Sequence, residues 1–332
     1  MKRYIISLLF GLCVFSACAQ TPKQQPKAAA KDTAVAAVEV ADTVQPEVPL
    51  TDSARIASGP WKIDTLKSGL ILKTIHFAEK EYMGTNQYIA VLEIPKSAPF
   101  HVAFAHEPVR TYTSTMARKQ GAVAAINGSF FDMRKHNPIC YLKIDGKECG
   151  INTMGTDTIM RKYYQYGSMS IRRGRPVIMR TKGPRFWERS LPDTNIMTAG
   201  PLLIHEGVAE PQRLDKDFIT QRHNRTAIAT KPDGTTLFFV VDGRTKQSEG
   251  FSIPELISTL MWMGCTEALN LDGGGSTTLY VKGQQHGGIV NYPTDNGKFD
   301  HEGERKVSNA VLLLRNPEPK KSPILGGSSI GD

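Results

Sequence analysis

Long hydrophobic runs are missing from this 332-residue chain. The longest, residues 4–17, falls short of the roughly 20 residues that a membrane-spanning helix needs, which excludes a polytopic membrane protein. Cysteine is scarce, with five in all, and CxxC-type spacing is absent, so a zinc ribbon or finger is excluded. No HExxH, GxSxG elbow, protein-kinase set, P-loop or GxGxxG is present, and the eight histidines are scattered without ligand spacing. Acidic residues are outnumbered, 32 against 41 basic, giving a net charge of +9 that favours an anionic partner. Nucleic acid is not that partner, since no basic heptad helix or aromatic RNA-binding signature accompanies the charge. What is there is an ordinary globular composition: 40% hydrophobic and 22% charged, with 29 Gly and 20 Pro.

The first residues set the compartment. Lys2 and Arg3 precede an apolar stretch and then Ser16-Ala17-Cys18. A basic start, a short apolar core and small residues describe an export signal. The ending is lipobox-like, so Cys18 is the expected lipidated residue of a cell-envelope lipoprotein, periplasmic or at the cell surface. Phe15 is an imperfect match to that pattern, and cleavage after Ala19 is the alternative. Residues 19–60, rich in Ala, Pro, Gln, Thr, Val and Lys, read as a flexible tether. One globular domain is expected over residues 61–316, followed by a tail over 317–332. An exported protein can form disulfides, and Cys140 with Cys149, flanking a hairpin turn at Asp145-Gly146, is the close pair. The spacing leaves open whether it is bridged.

The pattern predicts an α/β protein of the mixed α+β kind, with a central mixed β-sheet and flanking helices. β-branched and aromatic runs mark strands, and helices are expected over residues 114–120 and 254–263, the second capped near Ser252. Each helix is followed by a glycine (Gly121, Gly264), a five-residue strand, an asparagine (Asn127, Asn270) and a Gly/Ser loop, at identical spacing. This pseudo-repeat would place both loops at one edge of one sheet, where a ligand crevice forms.

Three consecutive glycines in Asp272-Gly273-Gly274-Gly275-Ser276-Thr277 cost backbone entropy, which makes sense where the chain turns sharply or a ligand touches the backbone. Asp242-Gly243-Arg244 ends one strand and Arg225 opens another. Arginines offer bidentate recognition of phosphate, and loop N–H groups hold phosphate oxygens. The nine basic residues between Arg161 and Arg189 are given no catalytic role.

Six blocks occur in order: Asn127-Gly128-Ser129-Phe130-Phe131, Ala199-Gly200-Pro201, Arg225-Thr226-Ala227-Ile228, Asp242-Gly243-Arg244, Asn270 to Thr277, and Val307-Ser308-Asn309-Ala310. Together they resemble the phosphodiester glycosidase family, over roughly residues 69–315. Asn224 before Arg225 and Ala229 after Ile228 depart from the family pattern without removing a chemical group. The resemblance implies hydrolysis of a sugar-1-phosphodiester, N-acetylglucosamine-1-phosphodiester-like, at the anomeric carbon, releasing free sugar and a phosphomonoester.

The residues fit that chemistry. A phosphomonoester leaving group has a relevant pKa near 6, against about 16 for water-like hydroxyls, so its departure needs charge stabilisation more than protonation. Arg225, Arg244 and the loop N–H groups of Gly273, Gly274 and Gly275 are expected to supply it. Asp272 is the expected catalytic carboxylate and Asp242 the second candidate. Asn127, Ser129, Asn270, Ser276 and Thr277 are expected in substrate binding. No cofactor is required by this scheme. Two alternatives stay open: a non-catalytic glycan-binding lipoprotein, and a Ca²⁺ or Mg²⁺ site of Asp242, Asn270 and Asp272 in a metal-assisted phosphodiesterase. The oligomeric state is not legible.

Overall fold

A computed structural model describes residues 50–67, 69–153, 165–182, 186–212 and 216–317. The signal, Cys18, most of the tether and nearly all of the C-terminal tail lie outside the described residues. The end of the expected tether is structured. Residues Asp52–Ser58 form a helix, capped by the Thr51 hydroxyl, and Ile56 is buried in the core. Its short Ser/Ala-rich pattern hid that single apolar anchor.

The α+β class holds, but the expected single mixed sheet is three sheets, and every strand ladder among the described residues is antiparallel. An eight-stranded sheet has at its centre Thr85–Ile94, Thr236–Val241, Arg225–Thr230 and Glu267–Asn270, side by side in that order. A four-stranded sheet runs Leu279–Val281, Ala124–Asn127, Lys306–Arg315, Phe100–Tyr112. A five-stranded sheet includes Gly167–Arg172 and Ile196–Ala199.

The two-residue period of the strands sorts their side chains between three apolar clusters. Leu92, Ile94, Phe238 and Val240 from the large sheet meet Val102, Phe104, Ile126, Val311 and Leu313 from the small one, with Leu142, Met169 and Met197 of the third sheet closing the same core. The alternate residues Val91, Leu237, Phe239 and Val241 pack under helix Ile253–Trp262 through Leu256 and Leu260. On the outer face of the small sheet, Ala105, Ala125, Ala310 and Leu312 receive Met116 and Ala117 of helix Thr113–Lys119. The large and small sheets thus each carry helix on the outer face, and all three sheets share one core inside.

The pseudo-repeat is visible in the backbone. Strand Phe100–Tyr112 leads through its helix to Ala124–Asn127, and Lys306–Arg315 lies between the two strands, antiparallel to both. Strand Thr236–Val241 leads through the second helix to Glu267–Asn270, with Arg225–Thr230 between them in the same way. Both helices end in the same left-handed glycine cap, Gly121 at φ 69° and Gly264 at φ 82°. Ala122 N–H donates to the Ala117 carbonyl at 2.8 Å and Cys265 N–H to that of Leu260 at 3.0 Å, matching bonds of a Schellman-type ending. The expectation that both loops share one sheet edge is wrong: the two units sit in different sheets. Their loops nevertheless meet, because the sheets face each other across the common core.

The hairpin at Asp145-Gly146 forms, with both residues at positive φ. No disulfide joins Cys140 to Cys149, and a bulge between the pairs Lys143↔Glu148 and Leu142↔Gly150 takes Cys149 out of the ladder register. Among the described members of the basic segment, Arg172, Arg180 and Arg189 are ion-paired to Asp193, Glu210 and Glu148.

Nothing lies within 4 Å of a Cβ added at Gly121 or Gly264, so only the backbone opposes a side chain there. Gly121→Ala and Gly264→Ala are each expected to cost about 1–2 kcal/mol, the left-handed penalty, read from urea midpoints. A neutral result at either position would show that its cap does not hold the helix end.

Candidate functional site

The glycine corner is built by close approach. Gly274 has φ 60°, and its N–H donates to the Asn224 carbonyl at 2.9 Å. A Cβ at Gly274 would lie 2.7 Å from Arg244 Nη2, and one at Gly275 would lie 2.5 Å from Arg305 Nη2. Two guanidinium groups therefore rest against the bare backbone of the corner, where a side chain would push them off.

Arg305 was not among the residues expected from the sequence. It sits two residues before the Val307-Ser308-Asn309-Ala310 block, in a Glu304-Arg305-Lys306 run that reads as a solvated charge cluster. Its Nε donates to Asp295 Oδ1 at 2.7 Å. Arg244 Nε donates to His223 Nδ1 at 3.4 Å, so that imidazole nitrogen is the acceptor. Burial first, then the charges of Arg225 and Arg244, lower the His223 pKa and favour this neutral form. Desolvation and the nearby Arg305 charge pull the Arg244 guanidinium below its usual value, with Asp272 and Asp295 opposing. An anion between the two arginines would relieve that repulsion.

Asp272 is the carboxylate of the corner. Desolvation raises its pKa to about 6, against the lowering effects of the Ser276 hydroxyl, the Gly273 N–H, Arg305 and Arg244. The Gly273 N–H donates to Oδ1 at 2.9 Å, while the Ser276 hydroxyl lies nearby without full hydrogen-bond geometry.

Arg225 does not join this site. Its Nε donates to the Phe251 carbonyl at 2.9 Å, its Nη2 to the carbonyls of Phe218 and Gln221, and its guanidinium covers the Phe218 ring. The side chain turns back to hold the short helix Lys216–Thr220, with only 2% of the residue exposed. Asp242 is also corrected. Fully buried, it accepts Asn291 Nδ2 on one oxygen and the Tyr292 N–H on the other, both at 2.7 Å. Burial raises its pKa to about 7 against those two bonds. It ties the loop after Val290 to the end of its strand and presents no free carboxylate.

Asn127, expected to bind substrate, is an internal clamp. Its Nδ2 donates to the Asp272 carbonyl at 2.6 Å, and its Oδ1 accepts from Thr226 Oγ1 at 2.7 Å and Thr278 N–H at 3.2 Å. One buried amide thereby joins the small sheet, the large sheet and the glycine corner. The Asp272 N–H, in return, donates to the Gly128 carbonyl at 3.0 Å. Ser129 is likewise buried, its N–H donating to Asn309 Oδ1 at 2.7 Å. Asn270 donates to the carbonyls of Gly200 and Leu271, securing the corner against Ala199-Gly200-Pro201. Ser276 and Thr277 are fully buried. The buried atoms Asn224 Nδ2, Asn270 Oδ1, Ser276 Oγ, Thr277 Oγ1 and Thr278 Oγ1 have no partner of proper geometry. Such a concentration of unpaired polar atoms in one turn is unusual outside functional sites. Of the alternative oxygen-ligand trio, Asp242 is engaged by Asn291 and Tyr292, and no group of three His, Cys, Asp or Glu is disposed for a metal among the described residues.

The family model described as phosphodiester glycosidase matches residues 120–314, which contain both repeat strands, the glycine corner and both arginines. The chain belongs to the phosphodiester glycosidase family. It is 24% identical over 261 residues to the bovine N-acetylglucosamine-1-phosphodiester alpha-N-acetylglucosaminidase, covering 69% of this chain and 46% of that protein. Over 107 residues it is 33% identical to the mouse protein of the same name, covering 32% of this chain and 19% of that one. The matched part thus spans less than half the length of these curated relatives. Among solved structures, the catalytic domain of the zebrafish N-acetylglucosamine-1-phosphodiester alpha-N-acetylglucosaminidase aligns with TM-score 0.55 and 18% identity, over 76% of this chain and 87% of that one. A hypothetical protein from Synechocystis aligns equally well, at TM-score 0.55 and 17% identity over 76% of this chain and 63% of that one. At these identities the two structures support the fold.

The raised Asp272 pKa carries a stability prediction. An unfolded Asp titrates near 3.9, so well below pH 4 the group is neutral in both states and its ionisation costs nothing, and near pH 4 the cost is still small. As pH rises toward the folded value of about 6 the cost grows, and above that it is complete. Asp272→Asn is therefore expected to stabilise the protein at pH 8, by about 1–3 kcal/mol after allowance for solvent access, and to change little at pH 4. Thermal midpoints at the two pH values check this; equal shifts at both would contradict the assigned burial cost.

Proposed function

We propose that this protein hydrolyses a sugar-1-phosphodiester of the N-acetylglucosamine-1-phosphodiester class at the anomeric carbon, yielding free sugar and a phosphomonoester. The observation that carries this reading is the pair Arg244 and Arg305 resting on Gly274 and Gly275, with Asp272 beside them. The arginines receive the phosphate and stabilise the charge that develops as it leaves. With a leaving group whose second pKa is near 6, no dedicated proton donor is needed, which suits a corner whose carboxylate is Asp272. Asp272, ionised above about pH 6, acts as base or nucleophile at the sugar carbon, or stabilises its positive charge. Asn127 and Asp242 keep the corner and the adjoining loop in place without touching substrate. The names of the mammalian relatives support the choice of sugar.

In the cell, this head is proposed to stand off the envelope membrane through a lipid on Cys18 and the residues that follow. That part rests on residues 1–18 alone.

The assay uses an α-N-acetylglucosamine-1-phosphodiester with a small alkyl aglycone. Asp272→Asn is expected to lower turnover at least ~100-fold, and Arg244→Ala and Arg305→Ala about 10²–10³-fold each. Arg225→Lys, by contrast, is expected to act through stability. The acidic limb of kcat/KM should fall below about pH 6, and chelator should leave the rate unchanged. Near-normal turnover by a folded Asp272→Asn variant would remove that residue from the mechanism.

A further inference from the structure

Beside the corner, a groove of about 670 Å³ opens between the edge strand Lys62–Thr65 and the chain after Val281, within the size range of small-ligand sites. Tyr292, His301 and His286 line one wall, three rings of a column of four. Phe299 stacks on Tyr292 at 4.0 Å, Tyr292 on His301 at 4.1 Å, and His301 on His286 at 3.9 Å. Tyr88 meets Tyr292 edge-on at 4.8 Å. The column is pinned at its centre, where the Tyr292 N–H binds Asp242 and His301 Nδ1 lies 2.7 Å from the Asn291 carbonyl, with its N–H donating. Exposed His286 ends it. Gln284 Nε2 donates to Asp64 Oδ2 at 3.1 Å, which links the edge strand to the chain after Val281.

The groove differs in charge from the corner. Lys62 and Asp64 offset each other, and no arginine lines it among the described residues. Aromatic edges, amides, a carboxylate and hydroxyls in an uncharged setting suit a ligand that is itself uncharged and rich in hydroxyls, with apolar C–H faces. That is the chemistry of a neutral oligosaccharide. A free phosphate would find only Lys62 there, offset by Asp64. The same loop walls the groove and continues to Asp295, which holds Arg305 over the corner. We infer that this groove is a second site, which binds a neutral oligosaccharide next to the phosphate-binding corner. This goes beyond the proposed hydrolysis and is read without turnover.

The test is calorimetric titration of the full chain with three trisaccharides, tri-N-acetylchitotriose, maltotriose and cellotriose, and with AMP as a stacking control. At least one trisaccharide is expected to bind. His286→Ala and Asp64→Ala, both at exposed positions and checked for unchanged thermal midpoints, are expected to weaken it at least 10-fold. No binding by any of the three, binding indifferent to both substitutions, or AMP binding more tightly than every trisaccharide would overturn the inference. Since no product is measured, the outcome is independent of whether the corner hydrolyses anything.

Discussion

The site depends on one buried amide. Asn127 ends a strand of the small sheet, yet its three hydrogen bonds go to Thr226 of the large sheet, to Thr278 and to the carbonyl of Asp272. Two sheets that share only an apolar core could slide, because dispersion and hydrophobic burial carry little direction. Directed bonds from a fully buried side chain fix their register where the glycine corner must be held. Removing the amide would leave buried groups unpaired at about 1–3 kcal/mol each, while the core would remain. Shape at the corner, rather than the fold as a whole, is what this residue secures.

From that anchor the electrostatics follow. Gly274 and Gly275 carry no side chains, so Arg244 and Arg305 approach their backbone directly. Each is oriented by a neighbour: His223 beside Arg244, Asp295 beside Arg305. The two cations are close enough to disfavour one another, and desolvation raises the Asp272 pKa to about 6. The repulsion between the arginines is a cost in the unliganded protein that an anionic substrate reduces. Binding and chemistry thus draw on the same preorganised charges.

Much of this was legible in the sequence, and the failures have physical causes. The repeated helix–glycine–strand–asparagine pattern was readable because capping glycines and five-residue strands are local features. Which sheet each strand joins is a long-range matter, and local spacing carries no information on it. Asp272, Arg244 and the three glycines stood out by residue type. Arg225 was misread for the same reason: an arginine opening a strand beside a glycine loop looks like an anion ligand, but its side chain turned toward three backbone carbonyls. Asp242 and Asn127, expected at the substrate, brace the backbone and neighbouring side chains instead, since a polar residue at a strand end can face a ligand or brace a loop with the same sequence signature. Arg305 was missed because charged neighbours on both sides made it resemble ordinary surface.

The central claim is that the corner stabilises a departing phosphate, so the bond that breaks is the one between the anomeric carbon and oxygen. Hydrolysis in ¹⁸O-enriched water with mass analysis of both products tests this directly. The account predicts the label on the sugar, with none in the phosphomonoester. Label in the phosphate would mean attack at phosphorus and would contradict the account.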